Sequence, residues 1–200
     1  MPFFREAMRI DEEHRHQLLT LMNAGNQYVN TIVDKLFDDA STLIDGAMVN
    51  PEIMRFELLQ TGTITIGSPN SSGVVVNYNY NYDPDGTWAA SNIVTKSGTE
   101  VWGGTTSNPI ADILALKRAA AAKGVVLTRA ICSPVTWAKL LVDSKIRTDV
   151  YPLNSNASLS DTELQQYLLR KTGINFTVYE KMYTDLSGAD KAYMKDDRVV

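Results

Sequence analysis

The sequence predicts an α+β protein in which one long helix and a β-rich section precede a second half of alternating helices and strands. Apolar residues recur at spacings of three and four over residues 29–47, as in an amphipathic helix. Apolar or aromatic residues alternate with asparagine over residues 74–82, as in a strand with two different faces. From residue 107 onwards, helix-start signals separate short apolar runs, which is typical of a small α/β domain with a central sheet.

The composition argues against several classes of protein. Of the 200 residues, 44% are hydrophobic and 21% are charged, as expected for one or two globular domains. A net charge of −4 gives no basic surface of the kind that neutralises phosphates, so we expect no sequence-specific binding of nucleic acid. No run approaches the ~20 apolar residues of a membrane span, so we expect no membrane partner. Cys132 is the single cysteine and cannot form an internal disulfide.

The long helix is predicted over residues 29–47. Its apolar stripe consists of Val29, Ile32, Val33, Leu36, Phe37, Ala40, Leu43, Ile44 and Ala47. The opposite face carries Asn30, Asp34, Lys35, Asp38, Asp39, Ser41 and Asp45, so one side of the helix should lie in water. Gly25 and Asn26 separate this helix from a shorter one that is predicted over residues 11–23.

A separate short helix is predicted directly after the long one. Asn50 followed by Pro51 is typical of an N-cap and a first helical residue, so the pair predicts a new helix over residues 51–60. Gly62 should end this helix, and the β-rich section begins there.

The second half contains three helices with start and stop signals. The first is predicted at residues 110–123, where Asn108-Pro109 begins it and Gly124 ends it. The second is predicted at residues 135–142 and begins with Ser133-Pro134. The third is predicted between a Ser160/Glu163 capping box and Gly173. Strands are predicted at residues 125–131 and 174–182. The Asn- and Ser-rich segment 147–159 is predicted to be a surface loop.

Motifs for zinc or phosphate binding are not supported by the spacing of the residues. His14 and His16 are two residues apart and would point in different directions on a helix, whereas zinc pairs favour a spacing of four. The glycines at Gly62, Gly67 and Gly73 lack the spacing and the Lys-Ser/Thr ending of a phosphate loop. We therefore expect no metal and no cofactor.

One turn sequence partly resembles a calcium-binding loop. Asn81, Asp83, Asp85 and Gly86 occupy positions one, three, five and six of such a loop. Asn92 stands where the loop needs a bidentate glutamate, and the preceding residues are predicted as strand rather than helix. We therefore predict a plain turn over residues 83–86.

Cys132 is the one candidate nucleophile. It ends a predicted strand just before the helix start at Ser133-Pro134, where the helix dipole could lower the pKa of a thiol. A buried, structural cysteine is the favoured interpretation, because free cysteine is among the most buried residue types. We therefore predict no catalytic residue.

The sequence predicts a location for one of the three tryptophans and leaves two locations open for the others. Trp137 follows a helix start and is predicted to lie in the core. Trp88 and Trp102 fit either the core or an interface between subunits, where tryptophan is enriched.

An ordered set of short motifs resembles the major capsid protein E family of tailed bacteriophages. The motifs are PFFREAMRIDEE at residues 2–13, Ile53-Met54-Arg55-Phe56-Glu57 leading into Gly62-Thr63-Ile64-Thr65-Ile66, Tyr82-Asp83, Trp102, Ser107-Asn108-Pro109-Ile110-Ala111-Asp112-Ile113, Leu127-Thr128-Arg129-Ala130, Ser133-x-x-Thr136-Trp137 and Asp196-Asp197-Arg198-Val199-Val200. No single motif is specific, but together they cover nearly the whole chain.

The resemblance implies the tailed-phage major capsid fold. Residues 1–106 would form a peripheral-type domain with a spine helix at residues 27–48 and an elongated sheet at residues 62–104. Residues 107–200 would form an axial-type α/β domain, with its body at roughly 107–194. Family members extend further at both ends, so the resemblance also implies a fragment that lacks the N-terminal arm and the C-terminal end.

The implied function is that of a structural subunit of a phage or prophage capsid. Such subunits assemble into pentamers and hexamers of an icosahedral shell that encloses DNA, with scaffold, portal and possibly decoration proteins as further partners. They are made in the bacterial host cytoplasm and reside in the virion. Two alternatives stay open on the sequence: an encapsulin-like nanocompartment shell protein, and a small α/β enzyme that uses Cys132.

Overall fold

The structure is a computed structural model that describes residues 16, 29–69, 75–154, 157–185 and 188–200. The chain divides into two compact units, residues 1–55 and residues 56–200. In the first unit the structure describes one helix, and His16, which is helical and exposed. The rest of the helix predicted over residues 11–23 lies outside the described residues. The domain boundary between residues 106 and 107 stays a prediction.

Helix α1 runs without a break from Val29 to Thr61. The predicted long helix is therefore confirmed and is longer than expected. The prediction that Asn50 caps a new helix starting at Pro51 is wrong, because Pro51 lies inside α1. A proline removes only its own N–H from the ladder of backbone hydrogen bonds. A helix can therefore pass through a proline when the residues before and after it are helical, as they are around Pro51.

The predicted end of this helix at Gly62 is confirmed. Gly62 has a φ of +73°, a left-handed conformation that costs little without a Cβ, and its N–H donates to the Leu58 carbonyl. Strand β1 (Thr63–Pro69) follows at once and pairs antiparallel with β2 (Val75–Asn81). The pairing sets Ile64 opposite Tyr80.

The predicted turn after β2 is confirmed, and it leads into a helix that the sequence did not predict. The Gly86 N–H donates to the Asp83 carbonyl, and helix α2 spans Thr87–Asn92. Of the elongated sheet expected over residues 62–104, the described residues of that range form only the two strands β1 and β2. Residues 87–92 are helical, and residues 98–100 form a 3₁₀ turn.

The three helices predicted in the second half are confirmed with their caps. They are α3 (Pro109–Ala122), α4 (Pro134–Val142) and, after one further helix, α6 (Asp161–Thr172). The side chains of Asn108, Ser133 and Ser160 each accept a backbone N–H in the first turn. The residue that ends α6, Gly173, has a φ of +72°.

The further helix corrects the predicted loop over residues 147–159. Helix α5 spans Ser144–Val150, so the first four residues of that segment are helical. The Asp143 side chain caps it by accepting the N–H groups of Lys145 and Ile146, and Ile146 is fully buried. Burial of Ile146 and the aspartate cap outweigh the polar composition that favoured a loop.

The central sheet is smaller than predicted. Strands β3 (Arg129–Cys132) and β4 (Asn175–Val178) pair in parallel, so residues 125–128, 174 and 179–182 of the predicted strands lie outside it. On the other side of β3, Cys132 forms an antiparallel bridge with Val199. The core of this unit lies between the sheet and the helices, with Leu140, Ile146, Leu164 and Leu168 fully buried.

The second unit also contains a small antiparallel pair of strands near its C-terminal end. Strand β5 (Met182–Thr184) pairs with β6 (Asp190–Ala192). Beyond it, the buried Gln60 side chain donates to the Tyr193 carbonyl and accepts the Lys195 N–H. The end of α1 is thus joined to the C-terminal segment by hydrogen bonds that satisfy a buried amide. None of the helices described in the structure has the length and apolar content needed to cross a membrane.

Candidate assembly surface

The Cys132 thiol is closed to solvent. The residue is fully buried at the end of β3, and desolvation raises the pKa of its thiol to about 11. The sequence allowed for a thiol activated by the start of α4, but burial works in the opposite direction and outweighs the helix dipole. A thiol that is both inaccessible and protonated is a poor nucleophile, which supports the interpretation as a structural residue.

In the calcium-like sequence, the side-chain oxygens of Asn81 and Asp83 already accept hydrogen bonds. One carboxylate oxygen of Asp83 accepts the Trp88 N–H at 3.0 Å, and the other accepts the Ala89 N–H at 2.7 Å. The Asn81 side-chain oxygen accepts the Asp83 N–H at 2.8 Å. The Asp83 carboxylate therefore caps α2, and Asn81 holds the turn before it. In the described part of the chain, no cluster of three His, Cys, Asp or Glu side chains is placed to hold a metal ion.

The remaining candidate residues are dispersed. His16 is exposed, and His14 lies outside the described residues. Gly62 ends α1, Gly67 lies in β1, and Gly73 lies outside the described residues. The structure therefore places these glycines in backbone roles where it describes them.

The tryptophans occupy three different environments. Trp137 is buried, as predicted, and its indole N–H donates to Asp161 at 2.6 Å. Trp102 is half-buried and donates to Asp112 at 3.1 Å. Trp88 is 48% exposed on α2, so it is available for contact with another molecule.

Large apolar side chains are exposed on several helices, on one strand and in connecting segments. On α1 they are Ile44, Met48 and Leu59, on α4 they are Val135 and Val142, on α6 Leu169, on β5 Met182, and in connecting segments Ile93, Val94, Val125, Val126 and Leu153. The sequence placed Ile44 on the covered face of the long helix, whereas the side chain is 64% exposed. Where such side chains form a contiguous patch, they mark a surface that binds other proteins, so they are candidates for contact with neighbouring copies.

The aromatic side of β2 is also exposed. Tyr78, Tyr80 and Tyr82 occupy alternate positions, and all three side chains are exposed. Alternation in the sequence indicated that the two faces differ, but it could not indicate whether anything covers the aromatic face.

The polar loop after α5 is held at both ends by one carboxylate. Glu163 accepts the Tyr151 hydroxyl at 2.5 Å, where the loop begins, and the Ser160 hydroxyl at 2.6 Å, where it ends. These bonds, with that of Ser160 first, lower the pKa of Glu163 to about 2. Between the two anchors, the side chain of Leu153 is fully exposed. We call residues 151–159 the clamped loop.

A second ionic group supports the helix before the clamped loop. The Tyr167 hydroxyl donates to Asp149 at 2.6 Å, and Lys171 lies 2.9 Å from the same carboxylate. The tyrosine hydrogen bond and then the lysine hold the pKa of Asp149 below its usual range. Helices α5 and α6 are thereby joined by side chains next to the loop.

A protein-family model described as phage major capsid protein E matches residues 1–200. No curated protein matches the chain.

Proposed function

Because the chain belongs to the phage major capsid protein E family, we propose that its copies form the pentamers and hexamers of an icosahedral shell that encloses DNA. The family is one of structural proteins of the phage capsid, and its place is the virion. Scaffold, portal and decoration proteins are the further partners that we propose. Synthesis in the host cytoplasm is part of the same proposal.

The observation that carries the proposal is the exposed apolar area on well-packed elements. A ring of five or six copies needs two different surfaces on each copy, each complementary to the other. The second unit exposes apolar side chains on capped helices, among them Val135 and Val142 on α4 and Leu169 on α6. The spine helix that we propose at residues 27–48 and the axial domain that we propose at residues 107–200 would present such side chains to neighbouring copies.

The clamped loop supports a contact near the axis of a ring. Its polar ends are bonded to Glu163, and the side chain of Leu153 is fully exposed. Hydrogen bonds that hold the two ends of a loop before binding reduce the conformational entropy lost on binding, so an exposed apolar side chain in it contributes more of its contact energy to association. We propose that the clamped loop contacts the same loop region in neighbouring copies.

Expression of the whole gene product together with its scaffold partner tests the proposal. Electron microscopy should show closed shells of uniform diameter, and their mass should be a multiple of that of the monomer. A protein that stays monomeric under these conditions at high concentration would contradict it.

A further inference from the structure

An open hollow lies between α4 and α6, beside β4. Its volume is about 490 Å³. Pro134, Trp137 and Leu141 line it from α4, where their spacing places them on one face of the helix. Phe176 and Val178 line it from β4. The hollow therefore has a mainly apolar wall on two sides.

The margin of the hollow is acidic. Among its lining residues the charged ones are Asp161, at the start of α6, and Glu180, just after β4. Asp161 also accepts the indole N–H of Trp137, so one carboxylate is held at the apolar wall. A ligand for this hollow should combine small apolar side chains with flanking positive charge.

Residues 123–129, which we call the valine segment, have this combination. Val125 is 52% exposed and Val126 is 78% exposed, in a stretch without regular secondary structure. Basic residues stand at both ends, Lys123 and Arg129, and both are exposed. Lys123 already donates to the Ser91 carbonyl at 2.7 Å, which leaves Arg129 as the charge to test.

The two surfaces lie at different ends of the parallel strands. The register pairs Arg129 with Asn175 at the start of the strands and Cys132 with Val178 at their end. The valine segment ends at the first residue of β3, whereas the hollow lies beside the later part of β4. A copy therefore cannot fill its own hollow with its own valine segment.

We propose that the hollow of one copy binds the valine segment of a second copy. The inference rests on the proposed function, since it names the surfaces through which the copies associate. The contact joins two different surfaces, so each copy binds one neighbour through its hollow and another through its valine segment. A row of such contacts closes into a ring when the rotation between neighbouring copies allows it. Apolar burial supplies affinity, and the charged margins set orientation.

Site-specific cross-linking tests the contact. The full chain carrying both Val126→Cys and Ala138→Cys, the latter an exposed position in the hollow, is treated with a short bismaleimide. The native Cys132 is buried and should not react. We expect a ladder of linked species on a denaturing gel. Each single variant alone should stay unlinked, and a mixture of the two should give only dimers.

The control pair replaces the cysteine in the hollow with one on α3. Val126→Cys combined with Arg118→Cys, an exposed position, should give no ladder. Equal ladders from both pairs, or no ladder from the test pair, would overturn the proposal. Linked dimers from Val126→Cys alone would also overturn it, because they would indicate a symmetric contact.

Charge reversal gives an independent test. Arg129→Glu or Glu180→Lys alone should weaken self-association about two- to fivefold at low salt, and the double variant should recover it. Arg118→Glu is the matched control for the first change and Asp85→Lys for the second, since both positions are exposed. If the losses of self-association in the two single variants add in the double variant, the pairing of Arg129 with Glu180 is contradicted.

Shell formation by the unaltered chain is scored separately. A cross-linked ladder without shells would support the contact and count against the proposed function. Shells without a ladder would overturn the contact and leave the proposed function standing.

Discussion

Single residues show how neighbouring groups decide the role of a side chain. Cys132 and Ser133 are adjacent and both buried, yet the thiol fills the core and the hydroxyl caps α4. The sequence supported both assignments, because a cysteine before a helix start is either activated or buried. Burial decided between them, since desolvation of the thiol raises its pKa to about 11.

Glu163 leads to a prediction at this scale. Its pKa in the folded protein is about 2, below its ordinary value of 4.5, so its interactions stabilise the folded state above pH 4.5. That contribution is lost as pH falls from 4.5 towards 2. We expect Glu163→Gln to lower Tm at pH 7 and to cause faster proteolytic cleavage within the clamped loop.

The difference between the wild type and this variant should disappear as pH approaches 2. Thermal unfolding across this pH range and limited proteolysis at pH 7 measure the two effects. Glu180→Gln, at an exposed position outside the clamped loop, is the control and should leave cleavage of the loop unchanged. A constant difference in Tm at every pH would contradict the assignment.

Whether a helix begins at a given residue depends on local signals and on the conformation of the chain on either side of them. Asn108, Ser133 and Ser160 cap helices as predicted, because a cap satisfies N–H groups within a few residues. The same kind of signal failed at Asn50, where the preceding residues are already helical and their carbonyls accept the N–H groups that a cap would satisfy. A start signal therefore indicates a new helix only when the chain before it is not helical.

Pro51→Ala tests this account of α1. Inside a continuous helix, alanine restores a backbone hydrogen bond and removes a steric clash, so the free energy of unfolding should rise by about 1–3 kcal/mol. Proline at the first position of a separate helix would instead be favourable, and the substitution would then be neutral or destabilising. Urea unfolding followed by circular dichroism distinguishes the two outcomes.

At the scale of the whole molecule, stability and assembly depend on different residues. The core of the second unit is formed by residues such as Leu140 and Leu164, which are fully buried. The side chain of Leu153 and those on the aromatic side of β2 contribute little to that core. Substitutions at the exposed positions should therefore alter association and leave folding nearly unchanged.

Leu153→Ser is the corresponding prediction. Because the side chain is fully exposed, the free energy of unfolding of the monomer should change by less than about 0.5 kcal/mol. The yield of shells should fall severalfold, since the tip of the clamped loop loses its apolar contact. Sedimentation and electron microscopy measure the yield. Leu153→Met keeps the apolar character and should assemble normally.

The sequence by itself determined the α+β class, the long helix and the caps of the later helices, because these depend on spacing and on hydrogen bonds between nearby residues. Its ordered motifs also indicated the family that the whole-chain match supports. The tertiary structure alone decided that Gln60 binds the segment at residues 193–195, that α1 continues through Pro51, and that the tyrosines of β2 face solvent. These features depend on contacts between groups that are far apart in the sequence. A pattern along the chain indicates only that two faces of an element differ. Which face is buried depends on what packs against it.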